Sequence, residues 1–122
     1  MSKLTKKIII ADDEPDVSLA IKPVLEKEGY KVSIVSSAEE FIDMLKNDKY
    51  DFGLIDFFMP EMSGRELVER IRKAKIMSPK FIFLNVVHFG AKGKEELRKL
   101  GICAYIHDVS NEDFSKFIKE ID

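Results

Sequence analysis

Several things are scarce in this chain. Its 122 residues include one cysteine, Cys103, which excludes an internal disulfide and a cysteine-based metal site. The apolar neighbours of Cys103 point to a buried, inert thiol. No stretch approaches the roughly 20 apolar residues of a membrane-spanning helix, so no membrane insertion is expected. The N-terminal lysines precede only a short apolar run before Asp12 stops it, which does not fit a secretory signal, and the expected compartment is the cytoplasm. Neither sign of charge dominates: 20 Lys and Arg against 22 Asp and Glu leave a net charge of −2. The basic residues are scattered, and the Lys3, Lys6 and Lys7 group reads as solvated. Without a global basic field, no direct contact with nucleic acid or anionic lipid is expected. There is no linker, no low-complexity tract and no repeat beyond a strand–helix unit. A single domain over residues 1–122 is expected, long enough to build its own core.

Short apolar runs alternate with helical patterns. The sequence predicts strands at Lys7–Ala11, Lys31–Val35, Phe52–Asp56, Phe81–Asn85 and Ala104–His107. Five helical segments lie between and after them. Pro15–Glu28 carries Val17, Ala20, Ile21, Val24 and Leu25 at helical spacing and stops at Gly29. Ser37–Asn47 carries Ala38, Phe41, Ile42 and Leu45. Ser63–Lys75 carries Leu67, Val68 and Ile71, and Ala91–Leu100 carries Leu97 and Leu100. Ser110–Ile121 opens with a Ser110-x-x-Asp113 box before Phe114, Phe117, Ile118 and Ile121. Strand–helix units repeated in this way predict an α/β chain with a doubly wound parallel sheet and helices on both faces. Right-handed crossovers leave few topologies; the flavodoxin-like (βα)5 order 2-1-3-4-5 puts the first and third strands side by side. Two residues stand out locally. Pro23 falls inside the first helix, where a kink is expected. Gly53 falls inside the third strand, a loss of packing or a point of close backbone approach.

The chemistry concentrates at strand ends. Asp12 and Asp13 end the Ile8-Ile9-Ile10-Ala11 run, and Asp56 ends Phe52-Gly53-Leu54-Ile55. Ligands of open α/β sheets bind beyond the carboxyl ends of the strands. With the first and third strands adjacent, three carboxylates converge, and their repulsion calls for a positive partner. A hard divalent cation with oxygen ligands, Mg²⁺ above all, suits them. An aspartyl-phosphate phosphatase would need Asp-x-Asp after the first strand and a cap domain. A flavodoxin would need a Ser/Thr/Gly-rich phosphate loop there, where this chain has Asp12-Asp13-Glu14.

The segment Asp56-Phe57-Phe58-Met59-Pro60-Glu61-Met62-Ser63-Gly64, taken with Ile8-Ile9-Ile10-Ala11-Asp12-Asp13-Glu14-Pro15 and Gly29-Tyr30, resembles the receiver domain of a two-component response regulator over essentially the whole chain. The resemblance implies that Asp56 accepts a phosphoryl group from a histidine kinase or phosphotransfer protein. It implies that Asp12 and Asp13 hold Mg²⁺ with Asp56 and the backbone carbonyl of Phe58. It implies that Tyr105 is the aromatic residue whose rotamer reports the active state. It also implies a downstream protein partner, reached through the face of the fourth helix, fifth strand and fifth helix. Any enzymatic activity is at most autocatalytic: phosphoryl transfer to its own Asp56 and dephosphorylation. The transfer needs an in-line nucleophile and a cation to neutralise the phosphoryl oxygens.

The second half departs from that family pattern. Asn85 stands where receivers carry Ser or Thr after the fourth strand, and Val86 follows where a small residue is usual. Asp108 stands where they carry Lys, and no Lys or Arg lies between Gly101 and Asn111. The amide of Asn85 can still donate to an oxyanion, whereas Asp108 reverses the sign of the missing charge. A second reading on the same fold follows from these two residues: a degenerate receiver acting as a phosphorylation-independent interaction module. His88 and His107 read as loop and strand-end residues, although His88 could point a cation at the site. Asp108 reads as a local cap before the last helix in preference to any catalytic role. Phe81, Phe83 and Phe89 read as core and loop packing, and Lys92, Lys94, Arg98 and Lys99 as a solvated helix side. No DNA-binding domain is expected within these 122 residues, and output is expected through a partner, through oligomerisation or through a domain trimmed from the chain.

Overall fold

The computed structural model describes residues 6–13, 15–56, 59, 61–84 and 91–106. The elements run β1 Lys7–Ala11, α1 Pro15–Lys27, β2 Lys31–Val35, α2 Ala38–Asn47, β3 Phe52–Asp56, α3 Gly64–Lys73, β4 Lys80–Leu84, α4 Ala91–Leu100 and β5 Ile102–Ile106. All strand pairs are parallel, in the order β2-β1-β3-β4-β5. The α/β sheet and its strand order agree with the sequence reading. The helix expected at 110–121 lies outside the described residues.

The sheet is buried from both sides, as a parallel sheet must be. Every residue of β3 is buried, Gly53 and Asp56 included. Alternate side chains feed two cores. Ile9, Ala11, Ile55, Phe81 and Phe83 face Phe41 and Leu45 of α2, Leu67, Val68 and Ile71 of α3, and Leu97 of α4. Ile8, Ile10, Val32, Phe52, Leu54, Ile82 and Leu84 face Ile21 and Leu25 of α1. Each fully buried Ile, Leu or Phe contributes about 1.5–3 kcal/mol relative to exposure, so these two layers dominate the stability.

The helix starts follow the sequence signals. Ser37 caps α2 and Ser63 caps α3, each accepting a hydrogen bond from the backbone N–H three residues on, Glu40 and Glu66, at 3.2 Å. The capped N–H is one of those that a helix start leaves without an intrahelical partner. At its other end, α3 closes through Lys75, a non-glycine residue at φ 57°.

Four local readings are corrected or sharpened. Among the described side chains of α1, the buried stripe is Ser18, Ile21 and Leu25; Ala20 is exposed and Val24 is 37% exposed. The apolar spacing alone had put Ala20 and Val24 on the core side, but the turn angle that buries Ile21 and Leu25 carries these two towards solvent. α1 runs on through Pro23, which is exposed one turn after the exposed Leu19; a carbonyl left unpaired on that side can take water. β5 begins at Ile102, two residues earlier than expected, because Gly101 at φ 86° turns the chain straight from α4 into the strand. Its pairing then skips Cys103: Phe81 partners Ile102 and Ile82 partners Ala104. β4 begins at Lys80, whose N–H donates to the Asp51 carbonyl at 3.1 Å.

Gly53 marks a close approach. A Cβ there would lie 3.1 Å from Phe81 Cδ1, 3.1 Å from Pro79 Cγ and 3.2 Å from Phe41 Cζ. The third strand therefore carries glycine so that Phe41 and Phe81, whose ring centroids are 6.4 Å apart, can close over it.

Candidate functional site: a carboxylate cluster at the strand ends

Asp12 is the first residue after β1. Its backbone N–H donates to the Val35 carbonyl at 3.1 Å, which extends the β1–β2 ladder by one bond and fixes the Asp12 backbone at the sheet edge. Asp56 ends the neighbouring strand β3 and is paired with Leu84 of β4. Carboxylate oxygens of Asp12, Asp13 and Asp56 lie within 4.8 Å of one another. The structure thus brings together the three acids that the sequence singled out.

Their burial differs. Asp12 is 1% exposed and Asp56 8% exposed, while Asp13 is half-buried. Two buried carboxylates with a third half-buried one concentrate negative charge at the carboxyl end of the sheet. Buried carboxylates persist only where hydrogen bonds or a cation offset their desolvation. The donor set is all oxygen, which fits a hard ion such as Mg²⁺ or Ca²⁺ and not a thiophilic metal.

Three supporting residues were not legible as such. Ser18 on α1 is fully buried, and its hydroxyl donates to Asp12 Oδ2 at 3.0 Å. Its signal was its phase, three residues before Ile21 and seven before Leu25, which places a polar residue on a core stripe. Met59, three residues beyond Asp56, is buried among the α2–α3–α4 core, and Met62 packs against the same cluster. Gly64 is buried at the start of α3.

The other expected site residues lie outside the described residues or are placed by backbone alone. Phe58, Pro60, Asn85, His88, His107 and Asp108 lie outside the described residues. Tyr105 lies in β5, paired with Phe83, and its side chain is outside the description. Leu84, the residue before Asn85, pairs with both Asp56 and Ile106. Among the described residues no helix is long and apolar enough to cross a membrane.

Comparison with known proteins agrees with this geometry. The sequence model of the response regulator receiver domain matches residues 8–115. The alkaline phosphatase synthesis transcriptional regulatory protein PhoP of Bacillus subtilis is 29% identical over 112 residues, 92% of this chain and 44% of PhoP. The chain spans less than half the length of such curated relatives. Among solved structures, a CheY-like receiver domain protein from Methanospirillum hungatei superimposes with a TM-score of 0.80 at 30% identity, covering 96% of this chain and 93% of that one. The response regulator TrrA of Thermotoga maritima, solved in complex with Mg²⁺ and BeF, gives a TM-score of 0.77 at 27% identity, covering 97% and 100%. A family match across both halves of the sheet, with the acidic cluster at its carboxyl edge, makes this chain a member of the response regulator receiver domain family.

Proposed function

We propose that this chain is a single phosphoacceptor domain, with its (βα)5 unit completed by a helix at 110–121, and that it takes a phosphoryl group on Asp56 from a histidine kinase or phosphotransfer protein in a cytoplasmic two-component pathway. The observation that carries this reading is the approach of the Asp12, Asp13 and Asp56 oxygens to within 4.8 Å. Asp56 supplies the nucleophile: one carboxylate oxygen forms a bond to phosphorus as the bond from phosphorus to the donor's leaving group breaks, giving an acyl phosphate. Asp12, Asp13, Asp56 and the Phe58 carbonyl would hold Mg²⁺, as the all-oxygen donor set favours. When bound, the ion supplies charge neutralisation for the phosphoryl oxygens. The carboxylates of Asp12 and Asp13 would hold that charge beside Asp56.

Output would pass to a protein partner over the α4–β5 face and the following helix. Asn85, Tyr105 and Asp108 are the positions at which phosphorylation would be read. Asn85 can donate a hydrogen bond to a phosphoryl oxygen but lacks the short hydroxyl. Asp108 opposes that charge instead of neutralising it. The conformational response is therefore smaller than in a receiver with the full set, since a modification shifts an equilibrium only by its differential interaction with the two states.

The test is incubation with a small-molecule phosphodonor and Mg²⁺, followed by intact mass. One added phosphoryl group on the wild type, absent in Asp56→Asn, supports the reading. No uptake by the wild type overturns it in favour of the phosphorylation-independent interaction module to which Asn85 and Asp108 point.

A further inference from the structure

Resting on that metal reading, we infer that Ser18 is a positioning residue for the Asp12 carboxylate, holding one of its oxygens so that Asp12 meets a Mg²⁺ ion in a fixed orientation. Ser18 is fully buried on the α1 stripe between the carboxylate cluster and Ile21, which is itself 4% exposed. An apolar side chain would pack there without any polar atom to satisfy, and a buried hydroxyl is costly unless it is bonded. No buried side-chain nitrogen or oxygen among the described residues lacks a partner. The partner of Ser18 is Asp12 Oδ2, at 3.0 Å.

The chemistry of the pair is specific. A serine hydroxyl has one proton, and giving it to Asp12 commits it. A carboxylate has two oxygens and about four lone-pair positions, so this hydrogen bond leaves room for a cation. It ties the Asp12 side chain, whose backbone is held by Val35 of β2, to the first turns of α1 as well. Mg²⁺ demands near-ideal octahedral geometry, whereas Ca²⁺ accepts varied arrangements. Groups that orient metal ligands through a hydrogen bond typically change affinity by about 10–100-fold when removed.

The experiment is a calorimetric titration of the full chain with MgCl₂ and with CaCl₂, and thermal unfolding in EDTA. Ser18→Ala is expected to weaken Mg²⁺ binding by about tenfold and Ca²⁺ binding by much less, lowering the preference for Mg²⁺. Ser18→Thr, which keeps the hydroxyl, is expected to recover most of the loss. Unchanged Mg²⁺ affinity in Ser18→Ala, alongside a loss in Asp12→Asn, overturns the role of Ser18 and leaves the metal site standing. An equal loss for both ions, not recovered by Thr and matched by a lower unfolding midpoint in EDTA, reduces Ser18 to packing and also overturns it. Mg²⁺ binding that is absent, or insensitive to Asp12→Asn, sinks the metal reading itself and this inference with it.

Discussion

Ala11 and Ile55 are register partners across the adjoining parallel strands β1 and β3. Because both strands run the same way, the next residue on each, Asp12 just beyond β1 and Asp56 at the end of β3, lies at the same level of the sheet. A register slip of one residue would turn the side chains of either strand to the opposite face and separate the two carboxylates. The two cores prevent that slip: Ile9 and Ile55 are locked against α2 and α3, and Ile8 and Leu54 against the α1 layer. The position of the site is thus a consequence of ordinary hydrophobic packing.

Removing one acid tests the cluster directly. Wild-type protein is expected to bind Mg²⁺ at roughly millimolar affinity or tighter, with amide shifts concentrated after β1 and β3. Asp13→Asn should weaken binding severalfold, since it removes a formal charge from a three-carboxylate set. An unchanged titration in Asp13→Asn would remove Asp13 from the site.

Asp108 gives a prediction about charge. A unit-charge pair about 6 Å apart at an effective dielectric of about 20 interacts by about 3 kcal/mol, an upper figure for a wet cleft. Asp108→Lys should raise the affinity for a beryllofluoride phosphoryl mimic, most strongly at low salt where screening is weakest. Asp108→Asn should fall between the two. Identical mimic affinity in wild type and Asp108→Lys would show that residue 108 points away from the site and that only the missing lysine matters.

Gly53→Ala probes the packing behind the cluster. The added methyl meets Phe81, Pro79 and Phe41 together, at 3.1–3.2 Å. Overpacking a filled core costs about 1–3 kcal/mol, which outweighs the gain of about 0.4–1 kcal/mol from replacing glycine. Urea unfolding should show a net loss. A midpoint equal to or above wild type would mean that the Phe41–Phe81 pair yields without cost.

The far edge of the sheet carries a pH signature. Asp48 sits at the C-terminal cap of α2 and pairs with the Lys7 ammonium. The hydrogen bond from Lys7, then that from the Lys49 backbone N–H, holds its carboxyl below the usual aspartate range. A carboxylate depressed in the folded state adds stability above its unfolded pKa and loses it as pH falls through the folded one. The Asp48 side chain is 52% exposed, and solvent screening keeps the effect on stability small. NMR titration of the Asp48 side chain should show an early midpoint that rises in Lys7→Ala. The same midpoint in both proteins would show that the pair is not populated in solution.

Some of this molecule follows from local rules. Apolar runs of strand length, serine caps before Glu40 and Glu66, and Gly29 and Gly101 after the helices depend on near neighbours in the chain, so β1 to β4 and the helix starts were legible within a residue or two. The three carboxylates were legible because a parallel strand that ends in a charge must place it at the ligand-binding edge. Other features needed the tertiary structure. α1 has more apolar residues than the sheet can cover, so only docking decides that Ser18 is buried while Ala20 and Val24 face outward. Gly53 is small because of Phe41 and Phe81, which approach it from elsewhere in the sequence. The bulge at Cys103 arises from how β5 meets β4, a long-range pairing with no local signature. The hydrogen bond from Ser18 to Asp12 likewise exists only once α1 is packed on the sheet, because helix docking and not chain spacing sets the distance between them.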